Sequence, residues 1–187
     1  KAILTLDADG TGTLVDLSQD ANTTAQIAQR CGTDMAALLY SSGTTGRPKG
    51  IMLSHDNLRS NAEILVDAWG FSSSDRLLHM LPIYHVHGLF VGISCVLMSG
   101  ASMSWHRAYN DDIAVTAMSR CTVMMGVPTY YTRLLSNNRF SPECCQTMRL
   151  FISGSAPLLT ETFHQFQARC GHTILERYGM SETNMNT

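Results

Sequence analysis

The sequence carries little charge and no stretch able to cross a membrane. Of its 187 residues only 15% are charged, and 13 Lys and Arg stand against 15 Asp and Glu for a formal net charge of -2. That balance offers no electrostatic case for binding nucleic acid or an anionic membrane. The longest apolar run, near Leu89–Met98, is broken by Gly92 and Ser94, and it falls short of the ~20 residues a membrane helix needs. The cysteines, Cys31, Cys95, Cys121, Cys144, Cys145 and Cys170, form no C-x-x-C pair, and the adjacent Cys144 and Cys145 are poorly placed to bridge each other. Reduced thiols, several of them buried, are the reading, and with it a cytoplasmic location. His85 and His87 stand two apart without further ligands at metal-site spacing, so no structural metal is expected. Internal repeats and low-complexity segments are missing. So are an initiator Met and a signal pattern at the start, and the sequence reads as an internal piece of a longer protein.

What is there suits one globular core: 44% of the residues are hydrophobic. Short apolar runs bounded by turn residues predict strands at 36–40, 75–81, 101–105, 122–125, 150–152 and 173–175. Between them lie helical patterns. Ser54 offers an N-cap, Leu58, Ala62, Leu65 and Ala68 follow at helical spacing, and Gly70 offers a stop. The segment 87–98 reads as an apolar helix ending at Gly100. Asn110 can cap a helix with Asp111 and Asp112 in its first turn. Pro128 can open another with Tyr131, Leu134 and Leu135 inward, and Thr160 can cap a third with Phe163, Phe166 and Cys170 on one face. Residues 1–35 are less informative, with a possible strand at Ala2–Leu6 and a possible short helix at Thr23–Arg30. Strands alternating with helices predict an α/β fold with a largely parallel sheet and flanking helices.

The stretch Tyr40-Ser41-Ser42-Gly43-Thr44-Thr45-Gly46-Arg47-Pro48-Lys49-Gly50 organises the rest. Glycines let backbone N–H groups turn toward an anion, hydroxyls donate to phosphate oxygens, and Lys49 adds a mobile point charge. The composition suits a loop that holds a polyphosphate, although a polar hairpin loop would share it. It is not a Walker A loop, because Pro48 stands where that pattern needs its second glycine. Three motifs, 41–50, 153–157 and 177–183, follow predicted strands. Ligands of parallel α/β sheets bind at such carboxyl ends, which groups the three into one site.

The 40–50 stretch resembles the phosphate loop of the adenylate-forming enzymes: acyl-CoA synthetases, adenylation domains and luciferases. Tyr178-Gly179-Met180-Ser181-Glu182-Thr183 resembles that superfamily's second signature, Gly154-Ser155-Ala156-Pro157 its adenine-side segment, and Leu81-Pro82-Ile83-Tyr84-His85-Val86-His87-Gly88 its acyl-pocket segment. Within the superfamily, residues 85–90, 126–135 and 176–180 are similar to malonyl-CoA synthetases. The resemblance implies part of the large N-terminal domain, with its stacked sheets and helices. It also implies a C-terminal domain that would lie outside this chain, so the piece alone is expected to be inactive.

The resemblance assigns roles by residue. Ser41, Ser42, Thr44, Thr45 and the backbone of Gly43 and Gly46 would hold the β- and γ-phosphates of ATP, with Lys49 neutralising them. Gly154, Ser155 and Ala156 would lie along the adenine, with Tyr178 and Gly179 on its other side. Ser181, where the family usually has Thr, would bond the α-phosphate, and Glu182 would hold Mg²⁺. His85 would sit by the acyl pocket and the path of the CoA thiol, though a packed histidine beside Tyr and Phe is the alternative. Met124, Met125, Gly126, Val127 and Met180 would line the pocket, with plain core the alternative for residues 124–127. Trp105–Tyr109 departs from the family's apolar-Pro-x-Phe pattern. The implied reaction converts malonate, ATP and CoA to malonyl-CoA through an acyl-adenylate; the alternative is the same chemistry on another short-chain, fatty or aryl acid. A buried second carboxylate needs a fixed cation. Arg177 is the first candidate, with Arg133 second and His87 third; the alternative for Arg177 is a partner of Glu176 or Glu182 that holds the loop. The partners expected are these small molecules only, with neither nucleic acid nor a membrane span.

Overall fold

A computed structural model describes residues 3–19, 26–41 and 48–184. The chain divides into two units, Lys1–Cys31 and Gly32–Thr187. In the first, residues 3–7 form no strand and 26–30 no helix; 20–25 lie outside the described residues. The regular element is α1 (Thr13–Gln19), none of whose residues is buried. Local hydrogen bonds hold its start instead. Thr5 Oγ1 accepts from the Thr13 N–H at 3.2 Å, and the Gly12 carbonyl accepts from Val15 and Asp16.

The second unit is built on a five-stranded, wholly parallel sheet. Its strands are β3 (Arg76–His79), β4 (Ser102–Trp105), β5 (Val123–Gly126), β6 (Leu150–Ser153) and β7 (Ile174–Glu176), in the spatial order β4-β3-β5-β6-β7. Before them come β1 (Met35–Ser41) and β2 (Lys49–Ser54), which pair antiparallel as a separate two-stranded sheet. The expectation that the 41–50 loop follows a strand of the parallel sheet is therefore corrected. It joins the two arms of a hairpin whose last described pair is Ser41 with Lys49. Two short apolar runs flanking a Gly-rich loop fit either arrangement, and pairing between neighbours in sequence won.

Every parallel crossover carries a helix, as such connections require. Helix α2 (His55–Trp69) starts and ends on the predicted residues. Ser54 accepts from the Asn57 N–H, and Gly70 closes the helix at φ 60°. Its buried face is Ala62, Leu65 and Trp69, so Trp69 takes the inward place expected of Ala68. The predicted apolar helix at 87–98 is instead a π-helical turn, His87–Gly92, followed by α3 (Ile93–Ser99), which stops at Gly100. The wide turn fits a close approach: a Cβ on Gly88 would fall 2.4 Å from the Pro82 carbonyl oxygen. Helix α4 (Asp111–Met118) is capped by Asn110, which accepts from Ile113, and α5 (Pro128–Ser136) opens on Pro128. Helix α6 (Thr160–Cys170) begins with Thr160 already helical and Leu159 at the cap position.

The sheet separates two cores. On one face Leu78, Met124, Phe151 and Ile174 pack with α4, α5 and α6 around Tyr131, Phe140 and Phe166. On the other Leu77, Val123, Met125 and Ile152 pack with α2, the π-turn and α3. At the amino end of the sheet Arg149 grips Asp75 with two hydrogen bonds of 2.8 Å, and Thr122 donates to the same carboxylate at 2.7 Å.

Candidate active site

The carboxyl ends of β3, β5, β6 and β7 open onto two adjoining grooves. The first, about 480 Å³, is lined by Leu81, Pro82, Val86, Val127 and Met180, with His85, His87, Ser155, Ser181 and Glu182 as its polar groups. The second, about 510 Å³, lies between Ser155-Ala156-Pro157 and Glu176-Arg177-Tyr178-Gly179. Ser155 and Gly179 border both. Segments far apart in sequence thus meet on one edge of the sheet, where ligands of parallel α/β folds bind.

Ser155 is the hinge of the arrangement. It has φ 70°, a left-handed backbone that a serine adopts at a cost. The His87 Nδ1 lies 3.1 Å from its Oγ. His87 is buried, and its Nε2 has no hydrogen-bond partner among the described residues. Burial, then the positive charge of Arg177, holds the His87 pKa well below the usual imidazole value. His79 at the end of β3 is buried too, its ring tilted against that of Trp105 with centroids 4.8 Å apart, and burial pushes its pKa down to about 4. Sequence reading missed His79. Its only signal was a polar residue ending an otherwise apolar strand.

Arg177 leaves the end of β7 with its N–H donated to the Ser153 carbonyl at 3.0 Å. Its side chain lies against Gly154: a Cβ there would stand 3.1 Å from Nε and 3.2 Å from Cγ. This close approach is the physical reason for glycine at 154. The guanidinium lies near His87 and Cys95, and burial lowers its pKa to about 10, so it stays charged near neutral pH. Glu176 is engaged elsewhere, accepting from the Leu158 N–H at 2.7 Å.

Arg133, Met124, Met125 and Gly126 fall outside both grooves. Arg133 bonds Asp111 at 2.7 Å and lies over the Tyr109 ring, so its guanidinium faces α4. Met124 and Met125 are core residues on opposite faces of the sheet, while Gly126 gives room to Tyr130, whose ring would stand 3.0 Å from a Cβ there. Ser42, Gly43, Thr44, Thr45 and Gly46 lie outside the described residues; Ser41 and Lys49 end the hairpin strands on either side. Glu182 and Ser181 sit on a short 3-10 turn, Ser181–Thr183, anchored to α2 where Asn61 donates to the Asn184 carbonyl at 3.1 Å.

The AMP-binding enzyme family matches the chain over residues 1–187. The chain belongs to the AMP-binding enzymes. It is 37% identical over 171 residues to the human mitochondrial malonate–CoA ligase, covering 80% of this chain and 29% of that protein. The crystal structure of apo MatB from Rhodopseudomonas palustris superposes with a TM-score of 0.95 at 52% identity, over 100% of this chain and 37% of that one. A malonyl-CoA ligase in ternary product complex with methylmalonyl-CoA and AMP superposes at 0.79 with 35% identity, over 84% of this chain and 35% of that one. The chain therefore spans well under half the length of each. Its fold is that of the N-terminal domain of these adenylate-forming enzymes. Among the described residues no helix is long and apolar enough to cross a membrane.

Proposed function

We propose that the protein containing this chain activates malonate with ATP and passes the malonyl group to CoA, giving malonyl-CoA, AMP and pyrophosphate. A carboxylate is a poor acyl donor because oxide is its leaving group, and adenylation replaces it with AMP. The second groove, walled by Ala156, Pro157 and Tyr178, would take the adenine. The first, with Leu81, Val86, Val127 and Met180, would take the acyl group, with Ser181 beside the α-phosphate. Ser41, Lys49 and the loop between them would hold the outer phosphates. His85, exposed on the rim, would line the thiol's approach. The chain's own contribution is positioning and charge stabilisation, as in other phosphate chemistry.

The observation that carries the malonate reading is Arg177, a half-buried cation that borders the second groove and lies against Gly154 near His87, a lining residue of the first. A monocarboxylate ligase needs only an apolar wall there, whereas a second carboxylate needs a partner for its charge. Arginine offers two parallel hydrogen bonds to a carboxylate. Malonate–CoA ligases among the relatives support the same substrate. Glu182, exposed and bordering the first groove, fits a hard cation that also carries phosphate oxygens and water. Mg²⁺ bound there would neutralise phosphate charge. A reducing compartment, the cytoplasm in our reading, suits the unbridged thiols of Cys95, Cys121, Cys144, Cys145 and Cys170.

The test is pyrophosphate release by the full-length protein with ATP and Mg²⁺. Release should depend on malonate, match AMP formation, and yield malonyl-CoA when CoA is added. Release that ignores the carboxylate would remove the adenylation chemistry. Release that prefers a fatty or aryl acid would leave the chemistry and replace the substrate.

A further inference from the structure

We propose that Arg177 does more than capture the substrate. It also keeps the distal carboxylate attached, so that a pocket lacking this guanidinium turns malonate into acetyl-CoA and CO2. The proposal rests on the malonate reading of the site. A carboxylate one carbon away from an activated acyl carbonyl is labile. The bond between the α-carbon and the carboxylate carbon breaks, and its electron pair moves into the acyl carbonyl as an enolate while CO2 departs. The α-carbon then takes one proton from solvent. The sum is malonyl adenylate plus a proton going to acetyl adenylate plus CO2, with no oxidant or reductant, and CoA converts acetyl adenylate to acetyl-CoA with release of AMP.

The pocket makes this loss a real hazard. Its walls at Leu81, Val86, Val127 and Met180 are apolar. A carboxylate stripped of water is raised in energy, while the transition state leading to neutral CO2 spreads the charge and suffers less. The same groove that shields the adenylate from hydrolysis would therefore speed its decarboxylation unless the charge is held on the carboxylate oxygens.

Arg177, which borders the adjoining groove and lies near His87 of this one, meets that requirement in three respects. It is fixed, with its backbone bonded to Ser153 and its side chain laid on Gly154. It remains a cation, since burial lowers its pKa only to about 10. And its planar fork stabilises a carboxylate while gaining nothing from CO2. The titratable groups that share its surroundings do not supply the opposite catalysis. His79 and His87 are held neutral by burial, and burial pushes the Cys95 thiol up to about 12. Near neutral pH none of these three is a cationic acid that would hand a proton to the enolate.

The experiment uses the full-length protein in excess over malonate labelled with ¹³C at the methylene carbon, with ATP, Mg²⁺ and CoA, and reads labelled malonyl-CoA and acetyl-CoA by mass spectrometry. Arg177→Lys keeps the charge without the fork, and Arg177→Gln removes both. The natural protein should give malonyl-CoA. The acetyl-CoA share should rise about tenfold or more in Arg177→Lys and further in Arg177→Gln, the scale of a lost charge-assisted hydrogen bond. Variants that make malonyl-CoA with the natural trace of acetyl-CoA would overturn the proposal. So would variants that consume no malonate, because capture would then be the only role of Arg177. If the natural protein itself ignores malonate but takes another acid, the malonate reading fails instead.

Discussion

Ser155 holds a left-handed backbone while its Oγ lies 3.1 Å from the His87 Nδ1, so a strained turn and a buried ring fix each other across the two grooves. The strain should be visible in stability. A Cβ in this conformation costs about 1–2 kcal/mol that glycine escapes. Ser155→Gly should therefore unfold at higher denaturant than Ser155→Ala, by about 1 kcal/mol, although both lose the hydroxyl. Adenylation should fall in both. Equal stabilities in urea melts would mean that the turn is not strained, and full activity in Ser155→Gly would mean that the hydroxyl does not orient His87.

His79 predicts an acid-sensitive fold. Its folded-state pKa lies near 4, below the ordinary 6.5, because burial disfavours the charged ring. For a group with a depressed folded-state pKa, the stability it contributes is complete above the unfolded value. It is lost as pH falls from about 6.5 toward 4, where only the unfolded chain gains the proton. The full effect is on the order of 3 kcal/mol. His87 acts in the same direction. Urea unfolding across that range should steepen with acid, and His79→Phe should flatten part of the slope. A slope unchanged by the substitution would assign the acid sensitivity elsewhere.

The Asp75 and Arg149 pair should be a structural requirement far from the chemistry. The Arg149 guanidinium bonded to Asp75 holds that carboxyl well below the usual carboxylate range. Asp75 is buried and Arg149 only partly so. Asp75→Ala should therefore cost about 2–3 kcal/mol, toward the lower side of what a broken buried pair costs. The contribution of the pair is present above the unfolded carboxyl pKa and lost as pH falls through the folded one. Selectivity among acids should not change. A selectivity shift in Asp75→Ala would tie this end of the sheet to the site.

How much of this was legible depends on how local each feature is. Ser54, Gly70, Asn110 and Pro128 mark helix ends by their own side chains and backbone preferences, and they stand where sequence placed them. The π-turn was not legible, since the apolar pattern of 87–98 is shared by α- and π-helical turns and carries no record of the close approach of Pro82 to Gly88. The antiparallel hairpin was hidden because an apolar run carries no record of strand direction. Ser155 meets His87 across 68 positions, and its left-handed backbone runs against serine's own preference. Motifs brought the right segments forward, but Arg177 lying on Gly154 and Arg133 turning to Asp111 are outcomes of packing.

Glu182 should matter to adenylation far more than an acid on a helix surface. Glu182→Ala in the full-length protein should lower malonate-dependent pyrophosphate release by at least about a hundredfold, as loss of a charge-stabilising group does. Glu63→Ala, which removes only a solvent-facing pair with Arg59, should stay near the natural rate. Chelation of Mg²⁺ should abolish release. Parallel losses in both variants would make the Glu182 effect one of folding.

The most direct measurement is kcat/KM of full-length Arg177→Ala on malonate and on butyrate. Loss of a buried, charge-assisted pair of about 2–4 kcal/mol corresponds to about thirty- to a thousandfold on malonate. The account predicts that fall, with the small butyrate activity held or raised as the apolar tail gains an uncharged wall. A parallel fall on both acids would contradict it and leave Arg177 a structural residue.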